Sequence, residues 1–87
     1  MPQRLIVGVS GASGAVLARE TLRQLADRGV ETHLVVSRGA RHTIAHELGS
    51  DGFAALNAMA AHLYSEQDLA APIASGSFRT DGMIVVP

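Results

Sequence analysis

At 87 residues the chain is shorter than the usual domain of roughly 100 to 150 residues, so it holds one domain at most. Its residues are 47% hydrophobic with two Phe, one Tyr and no Trp, which leaves Ala, Val, Leu and Ile to build a core and suits a layered α/β protein. Seven arginines without a lysine, against eight acidic residues, exclude the basic footprint of a nucleic-acid or anionic-membrane binder, and the lack of cysteine excludes disulfides, thiolate metal sites and a cysteine nucleophile within these residues.

Arg4 to Val9 is a short apolar run with β character, near-continuous at Leu5, Ile6 and Val7, as expected of a strand in a parallel sheet covered by helices. Met1 to Arg4 leads into it with no stretch long enough for a secretory signal, and no segment reaches membrane-spanning length; the expected compartment is the cytoplasm. Ser10-Gly11-Ala12-Ser13-Gly14 then reads as a tight loop opening a helix. Its glycines permit close backbone approach, its serines supply hydroxyls and a cap, and the following helix dipole favours an anion, so the stretch reads as a nucleotide-type cradle.

No familiar motif fits it fully. A dinucleotide fingerprint needs glycine at position 9, where Val9 stands; a P-loop needs a lysine the chain lacks; a nucleophile elbow needs glycine at position 15, where Ala15 stands. Ala15, Ala18, Leu22 and Leu25 recur at helical spacing opposite Arg19, Glu20, Arg23 and Asp27, predicting an amphipathic helix that Gly29 stops. Val30 to Ser37 predicts a second strand, and a right-handed βαβ crossover brings Ser37 to the same carboxyl edge as Ser10 and Ser13.

Ser37 is placed to cap a helix over about Gly39 to Leu48, Gly49 to Gly52 ends it, and Phe53 to Ala61 predicts a second short helix. Leu63-Tyr64 suggests a brief edge strand, Thr80-Asp81-Gly82 a turn, and Met83 to Pro87 a last buried strand. A sheet of three or four strands with no helix after the last would leave one face bare, so residues 1–87 read as the front part of a longer domain.

Among polar candidates, His42 and His46 stand one helical turn apart without the zinc pattern H-E-x-x-H, and solvation suits them better than a metal; no metal site is expected. His33 and His62 read as packed or solvated. Glu47 would be a surface carboxylate on most helices, or a proton carrier if it pointed at the cradle. Ser75-Gly76-Ser77 and Arg79 could line a ligand or form an ordinary turn.

The run Ser10 to Ala15, the segment Thr32-His33-Leu34-Val35-Val36-Ser37, and above all the block from Asp68 to Met83 resemble the UbiX-type flavin prenyltransferases over essentially the whole chain. The resemblance implies a Rossmann-like or flavodoxin-like three-layer parallel sheet, incomplete at its C-terminus, with residues 1–87 as the N-terminal part of a single flavoprotein domain. It further implies FMN as cofactor and transfer of a dimethylallyl group from dimethylallyl phosphate to reduced FMN. The prenylated FMN serves UbiD-type decarboxylases, as in ubiquinone biosynthesis, and the family assembles as a homo-oligomer. By position, Gly11, Ala12, Ser13 and Ser37 match the family's FMN contacts, and Ser13 and Glu47 its catalytic positions. Residues that hold the prenyl phosphate would lie beyond Pro87, so these 87 residues alone are expected to be inactive. Two rivals stand beside this reading: an FMN-binding flavoprotein of the cysteine-decarboxylase type, and a non-catalytic nucleotide-binding subunit.

Overall fold

The computed structural model describes residues 3–10, 14–65 and 80–86. Four strands, β1 (Arg4–Val9), β2 (Glu31–Val36), β3 (His62–Ser65) and β4 (Gly82–Val86), form one sheet in the order β3-β2-β1-β4. All three pairings are parallel, with Val7 opposite both Leu34 and Ile84, and Leu34 opposite Leu63. The helices are α1 (Ala15–Asp27), α2 (Arg38–Leu48) and α3 (Gly52–Met59). The α/β parallel architecture and the expected order of elements are borne out.

Side chains alternate across a strand, so the register sorts the sheet into two faces. Val7 and Val9 of β1, Leu34 and Val36 of β2 and Val86 of β4 share one face, and all are buried. Because the chain steps from β1 to β2 to β3 in one direction, right-handed crossovers put every intervening helix on that same face. The three helices accordingly pack against one another, and Ala15, Ala18, Leu22, Ala40, Ile44 and Leu56 complete the core beneath them. The helical spacing read at Ala15, Ala18 and Leu22 is thus the buried stripe of α1, with Leu25 half-buried at its end.

The second face carries Ile6, Gly8, Val35, Met83 and Val85, and no described helix covers it. Met83 and Val85 are 61% and 60% exposed there. β4 is tied to β1 at the amino edge, where the Arg4 N–H donates to the Asp81 carboxylate at 2.8 Å and the Asp81 N–H to the Arg4 carbonyl at 2.8 Å. No helix among the described residues is long and apolar enough to cross a membrane.

Two left-handed glycines shape the joints. Gly29 (φ 70°) ends α1 and Gly49 (φ 81°) ends α2, positions where a side chain would meet its own backbone. α2 and α3 are further joined by the Arg41 guanidinium, which lies 4.7 Å from the Phe53 ring centre.

Among the described residues, one buried position beneath the helices is polar. Thr32 is fully buried on the helix-covered face, and its hydroxyl has no hydrogen-bond partner among the described residues. Valine has nearly the same shape without that cost, so Thr32→Val is expected to raise stability by about 1 kcal/mol. A urea melt checks this: the midpoint moves up with an unchanged slope, whereas a lower midpoint would mean that the hydroxyl has a partner.

Candidate functional site at the carboxyl rim of the sheet

Parallel strands of equal direction bring their carboxyl ends to one rim, the usual ligand edge of an open α/β sheet. Here that rim is knitted by hydrogen bonds between three strand tips. The Ser10 N–H donates to the Val86 carbonyl at 3.0 Å, and the Ser37 N–H donates to the Val9 carbonyl at 3.1 Å. The Ser37 hydroxyl donates to the Ser10 carbonyl at 3.2 Å and accepts the Ala40 N–H at 3.0 Å, which makes it the cap of α2. The expected meeting of Ser10 and Ser37 at one edge, and the cap at Ser37, are both present.

α1 starts at the same rim, because it follows β1 after only five residues, Ser10 to Gly14. Gly14 occupies its N-cap position and brings no capping side chain, and among the described residues its first turn holds no acidic residue. The N–H groups at the positive end of a 13-residue helix are suited to a phosphate or another anion. Gly11, Ala12 and Ser13 fall outside the described residues, as do Ser75, Gly76, Ser77 and Arg79.

Below the rim, on the second face, lies an open apolar trough of about 180 Å³ lined by Gly8, Val9, Val35, Met83 and Val85, with Ser10 and Ser37 at its lip. Gly8 keeps its floor low, since a Cβ there would come within 3.2 Å of the Met83 methyl. Serine hydroxyls at the lip of an apolar floor, with helix-end amides at the same rim, form a donor set for a flat, partly apolar molecule bearing a phosphate.

Glu47 stands elsewhere. It is exposed in the last turn of α2, ten residues beyond Ser37, which at the helical rise is about 15 Å along the axis. Within one chain, then, Glu47 does not meet Ser37. His42 and His46 are exposed on the same helix, as expected. His33 is buried, 3% exposed, and its ring is bonded on both sides: Nε2 to the Glu31 carboxylate at 2.7 Å and Nδ1 to the Tyr64 hydroxyl at 3.1 Å. That hydrogen bond, with Arg4 nearby, holds the Glu31 carboxyl below the usual carboxylate range. This group escaped the sequence reading; the signal available was Glu31 and His33 spaced two apart in a strand, which puts them on one face.

The sequence model of the Flavoprotein family matches residues 1–87. This chain belongs to the flavoprotein family. The flavoprotein is 51% identical over 86 residues to a protein of Deinococcus radiodurans named flavin prenyltransferase UbiX, covering 99% of this chain and 44% of that one. Its fold superposes with a TM-score of 0.91, at 44% identity, on a crystal structure of AnUbiX (PadA1) in complex with FMN and dimethylallyl pyrophosphate, covering 100% of this chain and 46% of the other. A dodecameric FMN-dependent UbiX-like decarboxylase from Escherichia coli O157:H7 gives a TM-score of 0.88 at 46% identity, with 98% and 46% covered. The resemblance read from the three sequence blocks is therefore borne out. The chain spans less than half the length of these relatives.

Proposed function

We propose that this flavoprotein holds FMN in a flavin prenyltransferase that joins a dimethylallyl group from dimethylallyl phosphate to reduced FMN, the product serving UbiD-type decarboxylases. The observation that carries the reading is the rim: the N-terminus of α1 begins at the strand edge where Ser10 and Ser37 meet at the lip of an apolar trough, in a chain whose fold matches a protein solved with FMN and dimethylallyl pyrophosphate. Residues 1–87 are the N-terminal part of a single flavoprotein domain in this reading, which agrees with the 44% to 46% of each relative that they cover. A cytoplasmic location fits a chain without a membrane-crossing helix among its described residues.

The donor set fits a phosphorylated flavin. Gly11, Ala12 and Ser13, which lead into α1, hold its phosphate with the helix-end amides, and Ser37 fixes it from the neighbouring strand. When bound, reduced FMN supplies the nucleophile for an allylic carbon whose C–O bond breaks as phosphate departs with the electron pair. Ser13 donates a hydrogen bond toward the departing anion, a stabilisation that grows as charge develops. Glu47 exchanges a proton with the leaving phosphate. Its exposure and its distance of about 15 Å from Ser37 favour service at the rim of a second copy, hence a homo-oligomer.

The test is incubation of the full-length protein with reduced FMN and dimethylallyl phosphate, followed by mass spectrometry of the flavin. A gain of one dimethylallyl group is expected, and it should fall at least roughly a hundredfold in rate with Glu47→Gln. An unchanged flavin mass overturns the proposal, and full transfer by the Gln variant removes the role of Glu47 alone.

A further inference from the structure

A cluster of polar side chains lies on the second sheet face, away from the rim. Glu31 and His33 project from β2 on that face, and His62 is the register partner of His33 on β3. His33 lies four residues before Ser37, about 13 Å along an extended strand, so the cluster is separate from the proposed FMN site. The His33 and His62 rings stack with centres 4.7 Å apart. Potential ligand atoms of Glu31, His33 and His62 all lie within 4.8 Å of one another.

We propose that Glu31, His33 and His62 bind one divalent transition-metal ion of the zinc type, through a carboxylate oxygen and two imidazole nitrogens. Two imidazoles and a carboxylate are the three-ligand set of many zinc centres that leave a fourth position open. In a tetrahedral site with Zn–N and Zn–O bonds near 2.1 Å, neighbouring ligand atoms stand about 3.4 Å apart. The cluster reaches that spacing by side-chain rotation alone, because His62 is exposed and can turn while the strands stay fixed.

The fixed members are already oriented. In the metal-free cluster His33 Nε2–H donates to Glu31 at 2.7 Å; an ion takes the place of that proton, and the ring proton then sits on Nδ1, where it donates to the Tyr64 oxygen 3.1 Å away. An outer partner of this kind sets the tautomer and ring angle of a metal-bound histidine. Glu31 now faces two hydrogen-bonding partners, the Arg4 guanidinium at 2.9 Å and His33 at 2.7 Å. The ion enters between Glu31 and His33, takes the place of their shared hydrogen bond, and shares the carboxylate's charge with Arg4.

The experiment is a calorimetric titration of Zn²⁺ into the intact, chelator-treated protein, with the same titration on variants. One ion per chain is expected, and either His62→Ala or Glu31→Gln should weaken binding at least roughly tenfold, while the double variant His42→Ala, His46→Ala binds as the parent does. His62 is exposed, so loss of binding in its variant is not a loss of fold, and an unchanged far-ultraviolet circular dichroism spectrum verifies this. Absence of uptake, parent-like affinity in His62→Ala, or loss of binding in the α2 double variant would each overturn the proposal.

Discussion

Leu34→Ala is expected to lower stability by about 2–5 kcal/mol, the range for emptying a fully enclosed leucine site. Leu34 is fully buried at the middle of β2, flanked in register by Val7 on one side and Leu63 on the other, with the helix layer above. No neighbour can collapse easily into the space, because both flanking strands are fixed by their ladders and the helices by one another. Domains of this size are stable by only about 5–15 kcal/mol, so the substitution removes a large share of the whole. Denaturant titration checks it, with Val16→Ala as the comparison: Val16 is 55% exposed on α1 and its truncation should change stability by no more than about 0.5 kcal/mol. Equal losses at the two positions would mean that the core does not sit under the helices as described.

Much of this fold could be read from local chemistry, and the parts that could not share one cause. The strand at Leu5 to Val9, the helix stripe at Ala15, Ala18 and Leu22, the stop at Gly29 and the cap at Ser37 are set by residues a few positions apart, where periodicity and capping act. The meeting of Ser10 and Ser37 followed from the handedness of a single βαβ unit. Strand order was not accessible in that way. β4 pairs with β1, some 77 residues before it at the Arg4–Asp81 contact, and no short-range signal selects that edge over the far side of β3. The Glu31, His33, His62 and Tyr64 cluster depends on the same long-range register, so each residue taken singly reads as an ordinary strand histidine, carboxylate or tyrosine. Glu47 was legible in part: a helix over about Gly39 to Leu48 capped by Ser37 already sets it about 15 Å along the axis from that cap, but not which side of the helix it takes.

Ser37→Asp is expected to weaken FMN binding roughly a hundredfold while leaving the fold intact. Serine and aspartate are comparable N-caps, so α2 keeps a side-chain acceptor for the Ala40 N–H; the exposed hydroxyl bond to the Ser10 carbonyl is lost in either variant, so the Asp form should lie within about 1 kcal/mol of the parent. Ser37→Ala loses the acceptor as well as the donor and should cost about 1 kcal/mol more than the Asp variant. Toward a phosphate the order reverses. Two like charges some 5 Å apart near a protein surface repel by on the order of 3 kcal/mol, and a carboxylate at position 37 stands beside Ser10 at the rim where α1 offers its amides. Alanine brings no charge and removes the one hydroxyl proton, which can turn from the Ser10 carbonyl to a phosphate, a loss of about tenfold. Flavin fluorescence titration paired with a melt for each variant separates the two effects. Binding in the order parent, Ala, Asp with stability in the order parent, Asp, Ala would tie Ser37 to the phosphate through charge, since no purely structural role produces that crossing. An Asp variant that bound FMN as tightly as the parent would place the phosphate away from this rim.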